Sequence, residues 1–431
     1  MEQLNKGTSS LKKRLATRPV RRFFAGLGPG LITGAADDDP SGISTYSVTG
    51  AAFGYAPLWT ALFSFPLMAA VQLMCARLGL ISGQGLAAVI RRRYPKWVLM
   101  GSCVLLVIAN TVNIGADLGG MAEVVEMMTG VTRYVWLPVF AVLIVVLLIY
   151  TSYRRIARIF KWLTLVLFAY VAAAFLAQPN WGQVLKATFV PRIQWNAQYF
   201  ATLVAILGTT ISPYLFFWQA AQEVEEERAK GRRTVHQRRG ATDEELREAR
   251  TDVMTGMAFS NLIMYFIILT TGATLFVSGQ RDIETARQAA EALKPLAGNG
   301  AYLLFALGLV GTGMLGVPVL AGSAGFATAE AMHWRGSLSD RPRVARKFYG
   351  VLAAAVLLGL ALNYLKVNAV KMLFYAAVLN GVLAPPLIVL VTMLTSDEKV
   401  MGKQVNPPLL KWLGWATAFV MAAATVAMIV V

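Results

Sequence analysis

Two short stretches of this sequence combine residue types that hold hard cations. One is Asp37-Asp38-Asp39-Pro40-Ser41-Gly42; the other is Gly208-Thr209-Thr210-Ile211-Ser212-Pro213. Carboxylates, hydroxyls and backbone carbonyls are oxygen donors, the set that suits Mg2+ or Mn2+. No Lys or Arg stands in either stretch, whereas an anionic substrate would want basic side chains or exposed amides there. Pro40 and Pro213 each remove a backbone donor, and Gly42 permits non-helical dihedrals. Carbonyls beside each break are thereby freed to face a ligand.

Both stretches lie inside apolar runs, and the composition shows what those runs are. The chain has 431 residues, 56% hydrophobic and only 15% charged. A soluble protein of this length would carry roughly a quarter charged residues, so an ordinary cytosolic enzyme is excluded. The formal net charge of +17 does not indicate nucleic acid, because the basic residues fall between long apolar segments. Cys75 and Cys103 show no metal or disulfide spacing, and His236 and His333 form no pair. The Gly-rich stretch Gly308–Gly325 lacks the Lys-Ser/Thr of a phosphate loop. No nucleophile–base pair or zinc motif supports an enzyme, and no cofactor is expected.

A membrane helix needs about 20 mostly apolar residues. Eleven segments qualify, at about 24–53, 56–80, 97–127, 134–152, 156–177, 198–221, 252–278, 299–331, 347–364, 368–395 and 408–430. The fold class expected is therefore an all-α polytopic membrane protein. Residues 1–22 read as a basic cytoplasmic tail and 23–431 as the transporter domain, in contact with membrane lipid. Thirty-two of the forty Lys and Arg fall on one side if the N-terminus is inside, against eight on the other. By the positive-inside rule the N-terminus is cytoplasmic and the C-terminus outside, in a bacterial inner membrane. Residues 223–251, dense in both charge signs, read as a cytoplasmic loop.

The two chemical stretches interrupt the first and sixth spans, the same relative place in two five-helix halves. Non-helical backbone at membrane depth is tolerated only where protein buries it or it lines a cavity. Paired interruptions at corresponding positions point to an inverted-repeat transporter with a midplane site. The repeats would run over about 24–177 and 198–395, with an extra helix at 408–430. The substrate expected is a divalent cation moved by alternating access. A coupled symporter of a small organic substrate, such as an amino acid bound through the freed amides, is the alternative on the same fold.

The segment from Gly28-Pro29-Gly30 through Asp39-Pro40 to Gly54-Tyr55 and Leu58-Trp59 resembles the first helix of the NRAMP family of divalent-metal transporters, which have the LeuT-like fold. The family's Asp-Pro-Gly-Asn motif maps onto Asp39 and, for its Asn, Gly42. The proline of its Met-Pro-His motif matches Pro213, with Ser212 in place of Met and Tyr214 in place of His. Thr209 falls where the family offers a backbone carbonyl. The resemblance implies metal ligation by Asp39, by the Ser212 hydroxyl, and by Thr209 and Gly42 through backbone carbonyl or water. The departures resemble a divergent magnesium-transporting branch, because a thioether favours transition metals and Ser212 removes that filter. A Gly at 42 leaves room for the ion to keep waters.

The family's third helix carries an Asp and, three residues on, a Glu linked to proton movement. Asp117 matches the Asp, but the next position is Gly120, with Glu123 and Glu126 beyond it. Tyr214 and Gln219 hold the sixth-helix His positions, so obligatory proton symport is not implied. Voltage alone would supply about 4.6 kcal/mol for two charges crossing 100 mV. Asp37 and Asp38 are candidates for an acidic vestibule or for capping the break. Asn113, Asn261 and Asn380 read as interhelical hydrogen-bonding groups, Asn380 being a candidate for gating or support of the site.

Overall fold

The structure, a computed structural model, describes residues 28–151, 165–365 and 367–431. The basic tail, the basic residues Arg154, Arg155, Arg158 and Lys161, and Lys366 lie outside the described residues. The described residues form helices joined by short irregular connections, with no strand among them. Nine helical stretches there are long and apolar enough to cross a membrane. The first predicted span is split into two short pieces, and the fifth is described only over the shorter apolar helix Leu165–Leu176. Together these account for the eleven expected segments.

We number the helices that matter as follows. The split first span is α1 (Pro29–Asp37) and α2 (Pro40–Phe53), followed by α3 (Trp59–Ser82), α4 (Lys96–Thr129), α5 (Arg133–Tyr150) and α6 (Phe168–Leu176). The split sixth span is α7 (Ala197–Thr210) and α8 (Pro213–Ala229), followed by α9 (Asp243–Thr271) and α10 (Ala301–Ala331). The last three are α11 (Arg346–Leu362), α12 (Ala369–Thr395) and α13 (Pro408–Val430). The connection expected at 223–251 is shorter than that, because α8 runs on through Ala229 and α9 already starts at Asp243. Thr242 and Glu245 form the reciprocal cap that starts α9 so early. Glu223, Glu225 and Glu227 are accordingly buried on α8, not solvated.

The packing exchanges the two halves. Helix α4 packs along α10, the third span against the eighth. Helix α8 packs on α3, and α1 packs on α9, so sixth-on-second is matched by first-on-seventh. That pairing is what a five-plus-five repeat produces. The split span α7–α8 is almost wholly buried, whereas α5 and α13 are mostly exposed and sit at the rim of the bundle.

Close crossings place the broken helices. At the α1–α9 crossing a Cβ added to Gly34 would lie 2.2 Å from the Gly256 carbonyl oxygen, and one on Gly256 would lie 2.1 Å from that of Gly30. Only glycine lets these backbones meet. The same holds between α7 and α12, where a Cβ on Gly208 would sit 2.1 Å from the Ala377 oxygen. Asparagines tie other helices together as expected: Asn261 on α9 donates to the Ala61 carbonyl at 2.9 Å. Phe216, Phe217 and Trp218 are fully buried, in contact with protein and not with lipid.

Candidate metal site

The two breaks are built alike. In each, two residues leave the helix and a proline opens the next one. Asp38 ends α1 at φ −84°, ψ 49°, and Asp39 is extended at φ −68°, ψ 173° before Pro40. Ile211 ends α7 at φ −125°, ψ 55°, and Ser212 is extended at φ −77°, ψ 133° before Pro213. A residue preceding proline is pushed to extended dihedrals, and proline is favoured at the first helical position. Asp39 and Ser212 are thus the N-cap residues of α2 and α8, in equivalent places.

The prolines also decide which carbonyls are free. In a continuous helix the Pro40 and Pro213 positions would donate to Ala36 and Thr209, four residues back. Proline has no N–H, so both carbonyls are released. The Thr209 oxygen accepts from the Ser212 hydroxyl at 2.8 Å, and the Gly208 oxygen accepts from it at 2.6 Å. The Ala36 oxygen lies 3.1 Å from the Tyr214 hydroxyl, which also stands 3.4 Å from Asp39 Oδ2. Tyr214 therefore ties one break to the other. Ala36 was not singled out from the sequence, although its place four residues before Pro40 marks it.

Asp39 accepts from the Gly42 amide at 2.8 Å, leaving its second oxygen facing Tyr214. Gly42 lies in the first turn of α2, so its carbonyl points along that helix. A Cβ there would press on the Asp37 carbonyl oxygen at 3.3 Å and the Tyr46 ring at 3.4 Å, so glycine fits a tight place between them. The Thr209 hydroxyl contacts the Tyr46 hydroxyl at 3.0 Å. Helix α10 passes the site at Gly316, where a Cβ would fall 3.0 Å from Asp39 Cβ and 3.9 Å from Asp117 Oδ2. Asp117 of α4 is thereby brought beside Asp39, and neither of its oxygens has a hydrogen-bond partner.

Asp37 and Asp38 do not line an open vestibule. They are 1% and 0% exposed and meet Ser260 of α9, whose hydroxyl bonds Asp37 and lies 3.2 Å from Asp38 Oδ1. Asp37 Oδ1 and Asp38 Oδ2 are left without partners. Gln219 stands further along α8, where it accepts from Thr33 of α1 at 2.7 Å and donates to Glu223 at 2.8 Å. Asn380 is buried on α12, next to the Gly381 that crosses α7. Glu123 lies at the other end of α4, capping Ala286 at 2.8 Å.

Four carboxylates, Asp37, Asp38, Asp39 and Asp117, are therefore buried together, and among the described residues none is ion-paired. Buried carboxylates without a compensating charge cost several kcal/mol each. Among the described residues no group of three or more His, Cys, Asp or Glu is disposed to hold a metal. Any cation at the breaks would take one carboxylate plus hydroxyl, carbonyl and water oxygens. A cleft of about 540 Å³, lined by Val48, Gln198, Glu284, Lys371 and Tyr375 among others, approaches the site from the end opposite the basic loops. Val48 is eight residues along α2 from Pro40, so about 12 Å of packed protein separates cleft from site.

A family model described as Nramp, natural resistance-associated macrophage protein-like, matches residues 30–431. The divalent metal cation transporter MntH of Mesorhizobium japonicum is 27% identical over 415 residues, spanning 92% of this chain and 87% of that one. The protein of the same name from Agrobacterium fabrum is 29% identical over 432 residues, spanning 97% and 89%. Among solved structures, the Eremococcus coleocola manganese transporter, in complex with an aromatic bis-isothiourea substituted compound, superposes with a TM-score of 0.72 at 20% identity. It covers 94% of this chain and 86% of that one. That likeness shows the fold, the LeuT-like arrangement with interrupted first and sixth helices.

Proposed function

This chain belongs to the Nramp family, and from that premise we propose that it carries a divalent metal cation across the membrane by alternating access, with Asp39 as the charged ligand. The observation that carries the reading is the pair of equivalent breaks. The reading is supported by a carboxylate, a hydroxyl and the released Thr209 and Ala36 carbonyls at those breaks, beside buried acids that have no ion-pair partner among the described residues. A divalent cation offsets that charge and accepts those oxygens.

Within that function, Mg2+ and Mn2+ are the favoured cargo. Ser212 supplies a hard oxygen where the family's motif has a thioether, and its hydroxyl proton is given to Gly208 and Thr209, leaving its lone pairs for a cation. The small number of protein ligands at the breaks would leave coordination positions for retained water, which suits an ion that dehydrates reluctantly. Transport without obligatory proton symport is supported by Gly120 on α4 and by Tyr214 and Gln219 on α8, none of which titrates as a carboxylate or imidazole. The Lys/Arg distribution supports an N-terminus on the cytoplasmic side.

The test is uptake of Mg2+ and Mn2+ into proteoliposomes with a pH dye inside. Wild-type protein should accumulate both ions without matching acidification, amino acids should not compete, and Asp39→Ala should abolish uptake. Normal uptake by Asp39→Ala would sink the assignment of Asp39, and internal acidification tracking metal entry would sink the uncoupled reading.

A further inference from the structure

At the end of the molecule that carries the basic loops lies a cavity of about 220 Å³, lined by Ser82, Gln84, Arg92, Arg93, Arg239 and Lys399 among others. Its walls come from three separate connections. Ser82 ends α3, Arg92 and Arg93 end the short helix Leu86–Arg93, and Lys399 lies on the short helix Glu398–Met401. Arg239 comes from the α8–α9 connection. Four cations converge and no acid lines the space.

Their partners show how much of that charge is available. Arg93 is paired with Asp397. Arg92 donates to the neutral Gln84 amide oxygen and has no carboxylate partner among the described residues. Among the described residues, neither Arg239 nor the Lys399 amine has a carboxylate partner. Three positive charges therefore face one polar cavity without a salt-bridge partner among the described residues, the neighbouring acid Asp397 being paired with Arg93 and accepting from the Lys399 amide. These cations are exposed, and they are gathered at one place by three elements folding onto one another, as where Gln404 donates to the Ala241 carbonyl at 2.8 Å.

The depth of the cavity indicates what fills it. Trp97 at the start of α4 is 77% exposed, and Trp412 at the start of α13 is 66% exposed. Exposed tryptophans at helix ends mark the membrane–water boundary. Arg93 precedes Trp97 by four residues, and Lys399 lies in the connection that leads to Trp412, so the cavity opens at headgroup level. Its volume matches about seven waters at ~30 Å³ each, room for a phosphodiester with part of its hydration.

We propose that this cavity is a binding site for the phosphodiester headgroup of an anionic phospholipid, held by Arg92, Arg239 and Lys399. Guanidinium groups take phosphate oxygens in bidentate fashion, and basic pockets between spans at the interface recognise such headgroups. The inference needs only that the chain spans a bilayer. Its failure and the failure of the metal assignment at Asp39 are therefore separate results.

The experiment uses the full chain in phosphatidylcholine nanodiscs with increasing phosphatidylglycerol, reading retained lipid by native mass spectrometry and melting temperature in parallel. The wild type should retain phosphatidylglycerol selectively and melt higher with it. Each removed cation should weaken retention roughly fivefold, so Arg92→Gln with Arg239→Gln should weaken it roughly 25-fold. Arg343→Gln, an exposed charge outside the cavity, should change nothing. Equal retention by the double variant and the wild type would overturn the proposal. So would inorganic phosphate raising the melting temperature as far as phosphatidylglycerol does, which would mark a soluble-phosphate site.

Discussion

The clasp between α9 and the start of α1 allows a quantitative prediction. Asp252 reaches across 222 residues of sequence to accept three backbone amides at the first turn of α1. Gly28 donates at 2.8 Å and Leu31 at 3.1 Å to one oxygen, and Gly30 donates at 2.6 Å to the other. A carboxylate at a helix N-terminus satisfies orphan amides and complements the dipole. Asp252→Asn keeps the shape but turns one oxygen into an NH2 group, which cannot accept from Gly30. A charge-assisted hydrogen bond contributes about 1.5–3 kcal/mol, and a buried unsatisfied amide costs about 1–3 kcal/mol. The packed position of α1 should therefore lose about 3 kcal/mol relative to a released one, in which water solvates the amides either way. That corresponds to roughly a hundredfold rise in the released population. The assay is labelling of Ala35→Cys, a buried α1 position, by a membrane-impermeant thiol reagent. The buried Cys75 and Cys103 would be replaced in the background. The labelling rate should rise roughly a hundredfold in Asp252→Asn, and a rate within twofold of the parent would refute the clasp.

Three further predictions concern the site and the helix crossing that positions it. Ser212→Cys keeps the size of the side chain and substitutes a soft donor for a hard one, so Mg2+ uptake should fall at least about tenfold while Mn2+ uptake is largely spared. Parallel loss of both ions in the proteoliposome assay would contradict ligation at that position. Gly316→Ala places a methyl 3.0 Å from Asp39 Cβ, a clash with one side chain. Overpacking of about 1–3 kcal/mol should lower uptake while the protein still folds, as read by its melting temperature. Gly256→Ala, which strikes the Gly30 carbonyl at 2.1 Å, should instead cost most of the stability, because backbone cannot yield as a side chain does.

The spans and their breaks were legible in the sequence because they rest on strong signals, apolar length and X-Pro next to polar residues. Asp39 and Ser212 were legible for the same reason, since each precedes a helix-opening proline. What escaped was everything set by which helix lies against which. Ser260 and Asp252 are ordinary polar residues on α9 until that helix packs on α1. Gly316 is one of many glycines in α10, and only the α4–α10 packing puts it between Asp39 and Asp117. The end of α8 was misplaced because its charges looked solvated. Glu227 is in fact buried and paired with Lys230 and Arg232, a compensation invisible to composition.

The equivalence of the two breaks bears on how such a site could work with so few charges. Proline at matched positions releases one carbonyl in each half, Ala36 and Thr209, and each released carbonyl is taken by a hydroxyl of the second half, Tyr214 and Ser212. The hydroxyls are therefore placeholders: each can turn its proton away from a carbonyl at the cost of about one neutral hydrogen bond. A cation entering between the breaks would replace those bonds with stronger ones and would neutralise Asp39 at once. Asp37, Asp38 and Asp117 lie buried nearby and need not touch the ion. On this view the first half supplies the charge and the second half supplies adjustable oxygens. Charge at Asp39 and softness at Ser212 should then be separable by mutation, the one governing whether any ion moves and the other which ion does.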